Sequence, residues 1–176
     1  MKNMMKNLYG ELQEARRDTF SLIEGLEIDE MEKRVGDEWT VSQLLKHLYL
    51  SELGSIKVVN SLIKKSDEPL PPYPDDESSI EFAAPKQPPG KLICPKVVTP
   101  PEIVSAKEAL TELFDLRAST RETLELLSTV DPTSRTMEHP FFGECNMYEW
   151  FSFLLDHERV HQRQIRGVIE KLKENR

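Results

Sequence analysis

NMYEWFSFLLDHERVHQRQIRGVIEKLK, residues 146–173, is the stretch whose reading decides the fold. Met147, Trp150, Leu154, His157, His161, Ile165, Val168 and Leu172 recur at steps of three and four, the period of a long helix that buries one stripe against its neighbours. His157 and His161 are four apart, so both imidazoles leave the same helix face and can close on a single ion. They also interrupt an apolar stripe. An imidazole without a partner among Trp and Leu costs free energy, and a metal ion satisfies two at once.

Working outward, Asn146 and Glu149 are placed to cap this helix, and before them HPFFGE (139–144) reads as an apolar turn around Pro140 and Gly143. His139 in that turn is expected to be structural, its ring capping or filling the turn. A further helix is predicted from near Ser105 to the stop at Asp131-Pro132. Glu108 completes a capping box with Ser105, and Leu110, Leu113, Phe114, Arg117, Arg121, Leu124 and Leu127 mark the buried side and rim. Towards the N-terminus, Leu8, Leu12, Ala15, Phe20 and Leu22 or Ile23 follow a helical period from about Met4 to Glu24. Gly25 can end that helix, and LEIDEMEKRVGDE (26–38) is a polar connection with room for one turn.

The remaining helix begins sharply at Thr40, where TVSQ has the form of a capping box and Trp39 stands at the position of a hydrophobic staple. It runs to about Lys65. Leu44, His47, Ser51, Gly54, Val58 and Leu62 share one stripe, so His47 faces the core with two small residues in the turns after it. Ser51 and Gly54 serve either close helix packing or the wall of a pocket, since a mid-helix glycine costs about 1 kcal/mol whatever its purpose. Four long helices and no strand-like alternation predict an all-α protein, a four-helix bundle.

Between the second and third of these helices, residues 66–101 carry prolines at 69, 71, 72, 74, 85, 88, 89, 95, 100 and 101, which forbid a continuous helix or a central strand. Tyr73, Ile80, Phe82, Leu92, Ile93, Val97 and Val98 supply enough apolar surface for this connection to lie on the bundle. It is expected to cover the mouth of the site as a lid or belt.

If the second and fourth long helices face each other, His47 joins His157 and His161, giving three neutral nitrogen ligands for one divalent metal ion. Three protein ligands leave at least one position for water or substrate, the arrangement of catalytic rather than closed structural sites. HERVH also matches HExxH, in which Glu158 would be a metalloprotease base. A third ligand downstream is missing, because Glu170 and Glu174 sit on the same helix. Glu158 with His161 is half of a di-iron carboxylate motif, but no second pair exists to complete it. The blandest reading keeps the three histidines apart as core or rim residues. Glu158 and Gln164 could hold the second nitrogen of a ligand or lie on a solvated helix face.

The chain has 176 residues, a formal charge of -8, twelve prolines, seven glycines and two cysteines. That length suits one domain with roughly 70% of the unfolded surface buried. An acidic chain without a basic run argues against nucleic acid as partner. MKNMMKNLYGELQEARR lacks the apolar stretch of a signal peptide, and no segment reads as a membrane span, so a cytoplasmic protein is expected. Cys94 and Cys145 fit neither a disulfide framework nor a metal knuckle, and free thiols are expected.

WTVSQLLKHL (39–48) and HPFFGECNMYEWFSFLLDHERVHQRQI (139–165) resemble the DinB/YfiT-like (DinB_2 type) superfamily, and the resemblance runs over the whole chain in order. It implies a four-helix bundle whose metal, commonly zinc or nickel, is held by one histidine on the second helix and an H-x3-H pair on the last. Those positions fall on His47, His157 and His161. The resemblance further implies thiol-dependent S-transferases or isomerases that use bacillithiol, mycothiol or glutathione, and a homodimer. The proline-rich segment is longer than in typical members. From residues and resemblance together, a metal-dependent transferase acting on a small-molecule thiol and an electrophile is expected. The alternatives are a metal-dependent hydrolase with Glu158 as its base, or a non-catalytic stress-associated bundle. Neither cysteine is expected to replace the thiol, Cys145 lying roughly 18 Å of helical rise from His157.

Overall fold

The computed structural model describes residues 1–64, 68–80 and 94–174. Its elements are α1 (Asn3–Ile23), α2 (Ile28–Glu32), α3 (Val41–Lys64), α4 (Ala106–Leu127), β1 (Thr136–His139), β2 (Gly143–Asn146) and α5 (Glu149–Glu174), with 3-10 turns at Glu77–Ser79 and Lys96–Val98. The four long helices are those predicted, and α2 is the single turn expected in the first connection. Around the bundle, α1 packs on α5, α5 on α3, α3 on α4 and α4 back on α1.

Capping chemistry sets where the helices begin. At α3 the amide of Gln43 donates to Thr40 Oγ1 (3.1 Å) while the amide of Thr40 donates to Gln43 Oε1 (3.0 Å). At α5 the amides of Glu149 and Asn146 make the same exchange with each other's side chains, at 2.9 and 2.8 Å. Ser105 Oγ receives the Glu108 amide at 3.4 Å.

Two expectations need correction, and one open pair of alternatives narrows. The connection before α5 is an antiparallel hairpin, pairing Thr136 with Asn146 and His139 with Gly143. Gly143, at φ 74, takes the left-handed turn that a three-residue hairpin loop requires. Two four-residue strands were too short to show an alternation. Phe114, expected on the buried side or rim of α4, is 70% exposed, and Leu116 joins the expected Leu113 in the core. At Gly54 an added Cβ would meet nothing within 4 Å, so close helix packing does not explain that glycine.

The apolar interior falls into two halves. One holds Leu8, Leu12, Ile56, Val59, Leu124, Leu127, Phe151 and Leu154, and the other Ile23, Leu44, Leu45, Leu48, Ala109, Leu113, Ile165 and Val168. Between them, on every long helix, lies a layer of buried polar side chains.

The proline-rich connection divides. Residues 68–80 run past the end of α4, where the amides of Tyr73 and Asp131 donate to the carbonyls of Thr129 (3.4 Å) and Pro71 (2.8 Å). Residues 94–101 lie against α3, held where Gln43 Nε2 donates to the carbonyl of Pro101 at 2.9 Å. Only this second part reaches the histidines, so the expected cover is confined to it among the described residues. Ser66, Phe82, Leu92, Ile93, Pro85, Pro88 and Pro89 lie outside the described residues. No helix among the described residues is long and apolar enough to cross a membrane.

Candidate metal centre

α3 carries His47 and α5 carries His157 and His161, and the facing of these two helices brings the three rings together. Ring centroids lie 5.0 Å apart for His47 and His157, 4.6 Å for His47 and His161, and 4.5 Å for His157 and His161. Nε2 of His157 sits 3.1 Å from Nε2 of both other histidines.

The outer nitrogens determine what the inner ones are. Nδ1 of His47 is 2.7 Å from the Val98 carbonyl oxygen, and Nδ1 of His161 is 2.7 Å from Oε1 of Gln164. A carbonyl oxygen only accepts, so each Nδ1 carries the proton and each Nε2 presents a bare lone pair. His157 Nε2 can give a proton to one of these lone pairs but not to both. The centre therefore holds more acceptors than protons. A divalent cation resolves that mismatch, and tetrahedral bonds of zinc length would set nitrogens about 3.3 Å apart, close to the separation present.

Electrostatics point the same way. Burial lowers the pKa of His47, against the hydrogen bond to Val98. Burial, then the neighbouring His161, His47 and His139, pushes His157 well below the ordinary value. His161 is pushed down to about 4 by burial and by His47, with the Gln164 bond opposing. All three rings stay neutral at neutral pH, the form that ligates.

Aromatic rings border the trio. Trp39, placed by the α3 cap, stands 5.1 Å from His47, and Phe153, one turn before His157, stands 6.1 Å from it. His139 lies among Phe142, Phe153 and Trp150 at 4.5 to 4.7 Å, and its Nδ1 accepts the amide of Phe141 at 3.2 Å. It fills and caps the hairpin, as expected from the turn.

Glu158 is not on a solvated face. It is 2% exposed, turned away from the histidines, and its oxygens accept from Arg16 Nε (2.7 Å), Thr19 Oγ1 (2.8 Å) and Arg117 Nη2 (3.3 Å). A carboxylate so engaged gives the general-base expectation no geometric support. Gln164 does hold the second nitrogen of His161. Cys145 is buried across the hairpin, its thiol pushed up to about 11 by burial and by Glu149 and Glu144. Both cysteines are free, as expected, and Cys94 lies beside the centre, its Sγ 3.8 Å from Nδ1 of His47 and receiving the Thr99 hydroxyl at 3.5 Å. The Val98 carbonyl, Arg16, Glu52 and Arg117 went unnoticed in the sequence as parts or neighbours of this centre.

The sequence profile of the DinB superfamily matches residues 11–165, and the chain belongs to that superfamily. It is 26% identical over 161 residues to the uncharacterized protein YuaE of Bacillus subtilis (strain 168), covering 90% of this chain and 95% of that relative. In three dimensions it is similar to TT2238, a four-helix bundle protein, with a TM-score of 0.62, 19% identity, and coverage of 93% of this chain and 98% of the other. At that identity the likeness speaks for the fold.

Proposed function

From a chain that belongs to the DinB superfamily, we propose a metal-dependent enzyme, a thiol-dependent S-transferase in which His47, His157 and His161 hold one zinc or nickel ion. The observation that carries this reading is the convergence of three Nε2 atoms, two of them, on His47 and His161, left without a proton by the Nδ1 bonds to Val98 and Gln164. When bound, such an ion supplies Lewis acidity, which lowers the proton affinity of a thiol or water completing its coordination.

The chain's own residues supply position and exclusion of water. Val98 and Gln164 fix the tautomers and ring planes of His47 and His161. Trp39 and Phe153 present apolar ring surface beside the histidines, suited to the carbon skeleton of a small electrophile. In the transfer, the thiol sulfur forms a bond to the electrophilic carbon, the leaving group departs with its bonding pair, and the thiol proton goes to solvent. No carboxylate among the described residues joins the three histidines, so the chemistry draws on Lewis acidity with the nucleophile brought from solution.

Elemental analysis of purified protein should give about one divalent ion per chain, lost in His47→Ala and kept in His139→Ala; the opposite pattern overturns the ligand assignment. Consumption of monobromobimane or a haloarene is then followed with bacillithiol, mycothiol, glutathione and cysteine, comparing wild type, His161→Ala and metal-stripped protein. Equal rates in all three end the transferase reading in favour of a non-catalytic bundle. Metal-dependent turnover of an ester without thiol would favour a hydrolase.

A further inference from the structure

We infer that Arg16, Glu52, Arg117 and Glu158 form a buried register lock that positions His47 against His157 and His161, an inference that rests on the metal reading for one of its two readouts. Each long helix contributes one charge, and each charge lies between the two apolar halves of the core. The circuit is closed. Arg16 Nη2 meets Glu52 Oε2 at 2.8 Å and Arg16 Nε meets Glu158 Oε1 at 2.7 Å; Arg117 Nη1 meets Glu52 Oε1 at 3.1 Å and Arg117 Nη2 meets Glu158 Oε2 at 3.3 Å. Thr120 donates to Glu52, Thr19 to Glu158 and Arg16 Nη1 to the Leu113 carbonyl, so both glutamates and Arg16 are bound in orientation as well as neutralised, while Nε and Nη1 of Arg117 make no hydrogen bond.

The placement joins this ring to the histidines. Both glutamates are on α3 and α5, the helices that carry the trio, and Glu158 follows His157 directly. Arg16 hydrogen-bonds both glutamates, and Arg117 bonds Glu158 and lies in ion-pair range of Glu52, so either guanidinium ties α3 to α5 from the opposite side of the bundle. A trio with nitrogens 3.1 Å apart on helices 110 residues apart tolerates no slip between α3 and α5. Apolar stripes alone permit such slips, since Leu, Ile and Val repack against one another. Moving α5 by one turn would bring Leu154 or Gln162 opposite two arginines and leave buried charges unpaired. Buried ion pairs contribute little net stability but are well suited to fixing register.

The experiment replaces the whole ring so that no charge is stranded: Arg16→Met, Glu52→Leu, Arg117→Met and Glu158→Leu together. Thr19 and Thr120 still donate to the carbonyls of Ala15 and Leu116. Helical circular dichroism and a cooperative urea transition should survive, while zinc affinity falls by at least about 30-fold, within the range for residues that orient ligands. The second readout needs no metal: imidazole nitrogen NMR of the apo-protein should show fixed Nδ1–H tautomers at His47 and His161 in wild type and averaged ones in the variant. A folded variant with wild-type affinity and fixed tautomers overturns the inference. Should the quadruple variant not fold, Arg16→Lys keeps the charge and loses the fork that Nε and Nη2 make on Glu158; an affinity drop of about threefold with a retained cooperative urea transition supports the lock, and unchanged affinity and tautomers overturn it. A wild type that binds no zinc sinks the metal reading instead, and the tautomers alone then decide.

Discussion

Replacing His139 by phenylalanine should make the protein less sensitive to acid while leaving the histidine trio alone. Burial among Phe142, Phe153 and Trp150 pushes the His139 imidazole down to about 4 from an ordinary 6.5. The unfolded chain therefore takes up a proton there near pH 6.5 that the folded chain refuses until near pH 4. Stability from this residue is present above 6.5 and is lost as pH falls through that window, by about 2 kcal/mol at pH 5 and about 3 kcal/mol in full. Phenylalanine keeps a ring against Phe142, whose plane is 19° from that of His139, and has nothing to titrate. It also strands the amide of Phe141, a cost of about 1 kcal/mol at any pH. The curves should cross: wild type more stable by about 1 kcal/mol at pH 7, His139→Phe more stable by about 1 kcal/mol at pH 5. Urea unfolding of chelator-treated protein at both pH values measures this; His47 and His161 cancel because both proteins carry them, and the small part of the His157 lowering that comes from His139 is lost in the same direction. Parallel curves, offset equally at both pH values, would refute the argument.

Three further outcomes are expected. Gln164→Ala frees Nδ1 of His161 to rotate and should weaken zinc binding about 10-fold with little change in urea midpoint, measured by competition with a chromophoric chelator. Iodoacetamide should alkylate half-buried Cys94 well before buried Cys145, whose thiol stands near 11, and mass spectrometry of timed digests gives the order. Leu113→Ala, at a fully buried site, should cost about 3 kcal/mol in chemical unfolding, whereas Phe114→Gln next to it should change stability by no more than about 0.5 kcal/mol.

What was legible in the sequence is what helical periodicity and capping write locally. Thr40 with Gln43 and Asn146 with Glu149 announce helix starts because the bonds they make span three residues. The approach of His47 to His157 and His161 followed from two stripes and one assumption about facing helices. The hairpin escaped because four-residue strands offer too few positions for a period of two to stand out. Phe114 misled because the period of a helix tells which residues share a face, while the neighbour that covers the face is set by tertiary packing. Val98 and Cys94 reach His47 from a proline-rich segment that carries no periodic signal at all.

The charged ring was overlooked for a different reason, which bears on how such centres can be read. Arg16, Glu52, Arg117 and Glu158 each follow a buried leucine by four residues: Leu12, Leu48, Leu113 and Leu154. On a helix that spacing puts every one of these charges on a core stripe. A single charge there reads as the edge of a stripe, since long side chains can carry their heads out to water. Four such charges, two of each sign and one on each helix of a bundle, cannot all be edges at the same level without meeting. The signal lies in the agreement among the helices and not in any one of them. The same agreement explains the company Glu158 keeps: as the residue after His157 it resembled a catalytic base, but its helical angle, shared with Leu154 and Gln162, turns it towards α1 and its arginine. A carboxylate beside a clustered histidine in sequence can thus be committed to holding helices in register, and the direction of its stripe decides between that work and chemistry.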